Sequence, residues 1–95
     1  MKKEKVVAKL HKQINKASRE IDKLRLQTFL AKADAKVSID ERIESLESQI
    51  NKLRDEIHHL HYITSSAWKD LADGCKSSWR ELKISIRQAA KEFKS

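Results

Sequence analysis

The sequence predicts an all-α fold, a long coiled-coil helix followed by a shorter amphipathic helix, on three observations. The 95 residues contain no proline and one glycine, so the usual residues of tight turns are nearly absent. Charged residues make up 37% and aromatics 5%, a composition that belongs with long helices and coiled coils when helical periodicity accompanies it. The apolar residues supply that periodicity, recurring at alternating steps of three and four. A disordered chain shares the charge but lacks the rhythm.

The first apolar block runs Val7, Leu10, Ile14, Ala17, Ile21, Leu24, Thr28, Ala31 and Ala35. The second runs Ile43, Leu46, Ile50, Leu53, Ile57, Leu60, Thr64, Ala67 and Leu71. Isoleucine at a and leucine at d in the second block lean toward parallel dimers. Between Ala35 and Ile43 lie eight steps rather than seven, and two readings accommodate the slip. In one, the helix runs through it with a local change of supercoil. In the other, the chain turns near residues 36–39, Ser38 and Glu41 form a capping box, and the fold is a three-helix hairpin or bundle. "AKADAK", just before the slip, is a strong helix former without a turn residue. A continuous charged helix over residues 1–63 is therefore the expectation, with a phase shift near 35–43. Residues 1–37 carry eleven basic and four acidic side chains, and residues 38–65 three and six. A basic and an acidic helix pair well, whether folded back or between chains. A helix of about 60 residues would be about 90 Å long and unable to bury its seam alone.

"HYITSSA", after Leu60, is the predicted joint. Thr64, Ser65 and Ser66 are cap-type residues, and Ser66 is placed to cap a helix beginning at Ala67. Residues 64–95 then form an amphipathic helix with an eleven-residue repeat: Trp68 with Trp79, Cys75 with Ile86, and Leu71 with Leu82 and Phe93. Steps of about 100° per residue gather these side chains with Ala89 and Ala90 into one apolar band. Lys69, Lys76, Arg80, Lys83, Arg87, Lys91 and Lys94 flank it on one side. On the other, Ala67, Gly74, Ser78 and Ser85 make a ridge of small residues. Close approach of another backbone there gives Gly74 a reason inside a helix, where it costs about 1 kcal/mol. The alternative is that Gly74 ends one helix and Ser78 caps the next, with Glu81 completing the box. The stretch "AWKDLADGCKSSWRELKISIRQA" resembles small bacterial coiled-coil proteins with C-terminal tandem Ala-Trp-x-x-Leu elements. Ser78 stands where alanine would precede the second tryptophan. The resemblance implies helix and brings no activity.

Chemistry is sparse. His58 and His61, with His59 between them, have a spacing that can share a metal on a helix, but a structural site needs four ligands; surface histidines and no metal are expected. Cys75 cannot form an internal disulfide, and no histidine is placed in its helix to lower its pKa. It reads as a small buried hydrophobe, and its solitude makes a reducing cytoplasm the default. "MKKEKVVAKLHKQ" has no apolar run for a signal peptide, and no stretch approaches about 18 apolar residues. With no Gly-rich phosphate loop and no nucleophile beside a base, neither an enzyme nor a cofactor is expected. Lys5, Lys9, Lys12, Lys16, Arg19 and Lys23 form a stripe on the face opposite the first seam, able to track a phosphate backbone. Without interleaved aromatics or a nucleic-acid motif, a solvated face of a basic coiled coil is the favoured reading. The C-terminal band has the pattern of a lipid-surface helix, but regular tryptophans also suit a helix–helix seam.

The sequence therefore implies a non-enzymatic structural or interaction protein that homo-oligomerises or docks as a small accessory subunit. Trp68, Leu71, Trp79, Leu82, Ile86 and Phe93 form its expected contact band. The alternative is binding to an anionic surface, nucleic acid or acidic lipid, through Lys9, Lys12, Lys16, Lys76, Arg80, Lys83 and Arg87; the net charge of +7 permits such a partner.

Overall fold

In a computed structural model of the chain, the structure describes residues 3–30, 33–64 and 66–94. Three helices account for the regular structure there: α1 (Lys3–Thr28), α2 (Ala33–Leu60) and α3 (Trp68–Lys94). No strand occurs among the described residues. The helices lie side by side, each touching both others, in a rod of 50 × 17 × 17 Å. Cross-helix pairs fix their directions. Arg25 of α1 pairs with Glu47 of α2, while His11 and His58 share a cleft toward the other end, so α1 and α2 are antiparallel. The Trp68 indole N–H donates to the Leu60 carbonyl at 3.0 Å, and Arg42 meets Glu92 at 3.4 Å, which makes α2 and α3 antiparallel as well.

The first two seams pack as their heptads require. Val7, Leu10, Ile14, Ala17, Ile21, Leu24 and Thr28 are buried on α1, and Ile43, Leu46, Ile50, Leu53, Ile57 and Leu60 on α2. Burying each isoleucine or leucine contributes about 1.5–3 kcal/mol. Ala31 and the side chain of Ala35 lie outside the described residues.

The continuous helix expected over residues 1–63 is instead two helices, broken between Thr28 and Ala33. At the end of α1 the hydrogen bonds tighten to the three-residue pattern, Phe29 N to Leu26 O at 3.3 Å and Leu30 N to Gln27 O at 3.1 Å. The Thr28 hydroxyl donates to the Arg25 carbonyl at 2.5 Å, taking the acceptor that another α-helical turn would use. The break also precedes the turn predicted at 36–39. Val37, Ser38 and Ile39 are inside α2, so Ser38 and Glu41 do not cap it.

The joint after Leu60 is where the sequence places it. His61, Tyr62 and Ile63 close three-residue bonds onto the last turn of α2. The third helix starts at Trp68, one residue later than expected. The Ala67 carbonyl accepts its first bond, from Leu71 N at 3.1 Å, so Ala67 holds the capping position and Ser66 stands one residue too early. Ser65 lies outside the described residues, and Thr64 is exposed rather than in a seam.

The eleven-residue repeat of α3 resolves into an ordinary heptad. Trp68, Ala72, Cys75, Leu82, Ile86 and Ala89 are buried, and Trp79 and Phe93 pack partly buried against them. Steps of four and three connect this series, so each eleven-residue match spans one d position and the second a after it. Leu71, expected in the band, is 43% exposed, and Ala72 takes the inward place. The ridge expected to explain Gly74 does not: a Cβ there would meet nothing within 4 Å, and no described residue has positive φ. Nor does Gly74 end a helix, since α3 runs through it. Gly74→Ala should therefore raise stability by about 0.5–1 kcal/mol in urea unfolding followed by circular dichroism. A loss of stability would mean that something packs closely at this position.

Candidate functional site

The expected contact band lies mostly inside its own chain. Trp68, Leu82 and Ile86 are 4%, 2% and 7% exposed, occupied by the shared core. Trp79 and Phe93 pack against that core with part of their surface free. Only Leu71 stands largely in solvent, at a shallow cleft beside Glu56, His59 and Cys75. The band is therefore no ready-made surface for a partner, because α1 and α2 cover it. Trp68 does a structural job: its indole N–H is a second donor to the Leu60 carbonyl, which also accepts from Ile63 N, and so ties the start of α3 to the end of α2. Lys3 adds its ammonium 5.6 Å from the centre of the same ring.

The basic residues fare differently. Between α1 and α3 runs a groove of about 440 Å³, bordered by Lys5 and Lys9 on one wall and Lys76, Arg80 and Lys83 on the other, with Trp79 along it. No carboxylate lines it. Four of the seven predicted anion contacts, Lys9, Lys76, Arg80 and Lys83, are thus brought together from helices 67 residues apart between Lys9 and Lys76. Lys12, Lys16 and Arg87 are exposed farther along the same helices and do not line the groove. Lys5 belongs to the predicted stripe, and the structure adds it to the site.

The groove is basic because the helices are sorted by charge. The first helix carries eight basic and three acidic residues, α2 four and seven, and α3 seven and four. The acid-rich α2 meets its basic neighbours through Arg25–Glu47 and Arg42–Glu92. Both pairs are partly solvated, so each contributes at most about 1 kcal/mol. Their larger consequence is positional: carboxylates gather along α2, across the core from the groove. Five cations border one groove, and like charges gathered this closely repel one another, an effect that salt screens only in part over a Debye length of about 8–10 Å. An anion entering the groove relieves it.

Two other features face solvent. His58 and His61 share a cleft of about 410 Å³ with His11 and Glu4, and Tyr62 meets His58 and His61 edge-on at 5.3 and 5.2 Å. His11 escaped the sequence reading because only folding back brings it to the cluster. Among the described residues no three histidine, cysteine or acidic side chains are placed to hold a metal. At the opposite end, where α1 meets α2, Leu26, Phe29, Leu30 and Val37 are 65%, 71%, 88% and 63% exposed. Nearby, the Gln27 Oε1 is buried without a hydrogen-bond partner.

Comparisons with known proteins leave the geometry to speak for itself: no family model, curated protein or solved structure matches this chain. No helix among the described residues is long and apolar enough to cross a membrane.

Cys75 is free and buried. Burial pushes its thiol pKa up, and the nearby Glu56 carboxylate adds to the shift, the opposite of what activates a nucleophilic thiolate. The folded chain holds this proton to higher pH than the unfolded chain does. Its contribution to stability is complete below the unfolded thiol value of about 8.5 and is lost as pH rises through the folded value. Urea midpoints taken upward from neutral pH should fall more steeply for the wild type than for Cys75→Ala. Parallel slopes would contradict the assignment.

Proposed function

We propose that this chain is a non-enzymatic docking module: a single-chain three-helix bundle that serves as a small accessory subunit and engages an anionic partner through the α1/α3 groove. The observation that carries the proposal is the convergence of Lys5, Lys9, Lys76, Arg80 and Lys83 on one groove without a carboxylate. Assembly through the helical seams has less to draw on, because their isoleucines and leucines are already buried against one another. The exposed apolar end is a small surface by comparison. Four side chains there fall short of the roughly 800 Å² per partner that a stable protein interface buries. The resemblance of α3 to helices with tandem Ala-Trp-x-x-Leu elements belongs to the same proposal, as a pattern that serves packing.

Catalysis finds no support in the groups present. The one thiol is buried with its pKa raised, and the histidine cleft holds no nucleophile activated by a base. A groove of cations does suit recognition. It steers an anionic partner and sets its orientation.

Charge reversal tests this directly. At about 50 mM salt, a fluorescent polyglutamate probe of about 15 residues should bind, and the exposed pair Lys9→Glu with Lys83→Glu should weaken it about tenfold or more. The control Lys52→Glu, on α2, should change it less than about twofold. Equal losses from both faces, or no binding to the wild type, would overturn the proposal.

A further inference from the structure

The groove differs from a plain cationic patch in two ways. Its cations belong to rows much longer than any small anion. On α1, Lys5, Lys9, Lys12, Lys16, Arg19 and Lys23 follow at steps of three and four. From Lys5 to Lys23 is 18 residue steps, or about 27 Å of helix. On α3, Lys76, Arg80, Lys83 and Arg87 follow at the same steps, about one per helical turn. A phosphate ion or a small acid would meet two or three of these charges and leave the rest unused. A linear polyanion lying in the groove and continuing past it along the two helices meets a further cation of each row about once per turn. The second difference is Trp79, part of whose indole surface remains free in the groove. Aspartate and glutamate side chains have no flat ring to place there. A nucleobase does, and base–aromatic stacking beside a backbone-tracking row of cations is how single strands are held without sequence preference. A duplex keeps its bases stacked inside a convex cylinder, so it reaches the rims of the groove and not the indole.

We infer that the α1/α3 groove binds single-stranded nucleic acid, its backbone running along the two basic rows and a base stacking against Trp79. The inference rests on the docking surface proposed above and names its partner.

Fluorescence anisotropy with labelled oligothymidylate and oligouridylate of about 15 nucleotides tests it, beside a duplex of equal length and the polyglutamate probe. The single strands should bind at least about tenfold more tightly than either competitor at equal salt. With five phosphate contacts, the logarithm of affinity should fall with the logarithm of salt at a slope of about −3.5. Trp79→Leu keeps an apolar residue at its seam position; it should lower single-strand affinity about tenfold while leaving polyglutamate binding unchanged. Circular dichroism on that variant verifies that the helices persist, and the wild-type comparison stands without it. If polyglutamate or duplex binds as well as the single strands, the inference is overturned while the anionic docking surface survives. Single-strand binding indifferent to Trp79→Leu overturns the stacking mode and with it the inference. If no probe binds at low salt, both fall together.

Discussion

Three heptad seams meeting inside one chain is the constraint on which everything else in this protein depends. Each of the three helices has a narrow apolar stripe and an otherwise polar circumference, so none can bury its stripe alone. Two turns bring the stripes together, and the seam isoleucines and leucines of α1 and α2 become nearly inaccessible along with Trp68, Leu82 and Ala89. Once the seams are closed, the rotation of each helix is settled. Every exposed charge then has a fixed place, and the basic rows of α1 and α3 come to border one groove. The surface is a consequence of the core.

Closure also explains the division of charge. With α2 rich in carboxylates and packed against both other helices, attractive pairs such as Arg25–Glu47 and Arg42–Glu92 sit where α2 meets its neighbours. The α1/α3 groove is lined by no carboxylate among the described residues. The two basic helices run parallel and adjacent, and their repulsion is tolerated because the apolar core outweighs it. A few exposed like-charge contacts cost tenths of a kcal/mol each, against about 1.5–3 kcal/mol for each buried large aliphatic side chain. Surface charge is therefore free to serve recognition.

Much of this was legible in the sequence, and the misreadings have physical causes. The seams from Val7 to Leu24 and from Ile43 to Leu60 follow the heptad without exception, because nothing but packing selects those residues. The joint after Leu60 was marked by cap-type side chains. The break after Thr28 was not, because it uses neither glycine nor proline; where the helix ends, a buried threonine hydroxyl bonds back to Arg25 and the backbone tightens to three-residue bonds. In α3 a single eleven-residue interval, about three turns, fits heptad steps of four, three and four as well as it fits a period of 3.67, so the matched pairs do not separate the two. The expected stripe differs from the buried one at Leu71, whose greater hydrophobicity put it in the band, and only packing shows that Ala72 faces inward instead. For the candidate site, the cations themselves were readable as stripes. Their meeting across Lys9 and Lys83, and the approach of His11 to His58 and His61, required knowing which helices are neighbours, which local pattern does not encode.

The central claim is that the seams close within a single chain, and an interhelical distance tests it most directly. Spin labels at Asn15 and Glu56, both exposed, can be placed in a Cys75→Ala background and the labelled protein diluted with excess unlabelled chain. Helices packed about 8–10 Å apart predict a label separation below about 25 Å that survives the dilution. A separation near 60 Å, the span of 41 residues along one helix, or a short distance that disappears on dilution, would contradict the account.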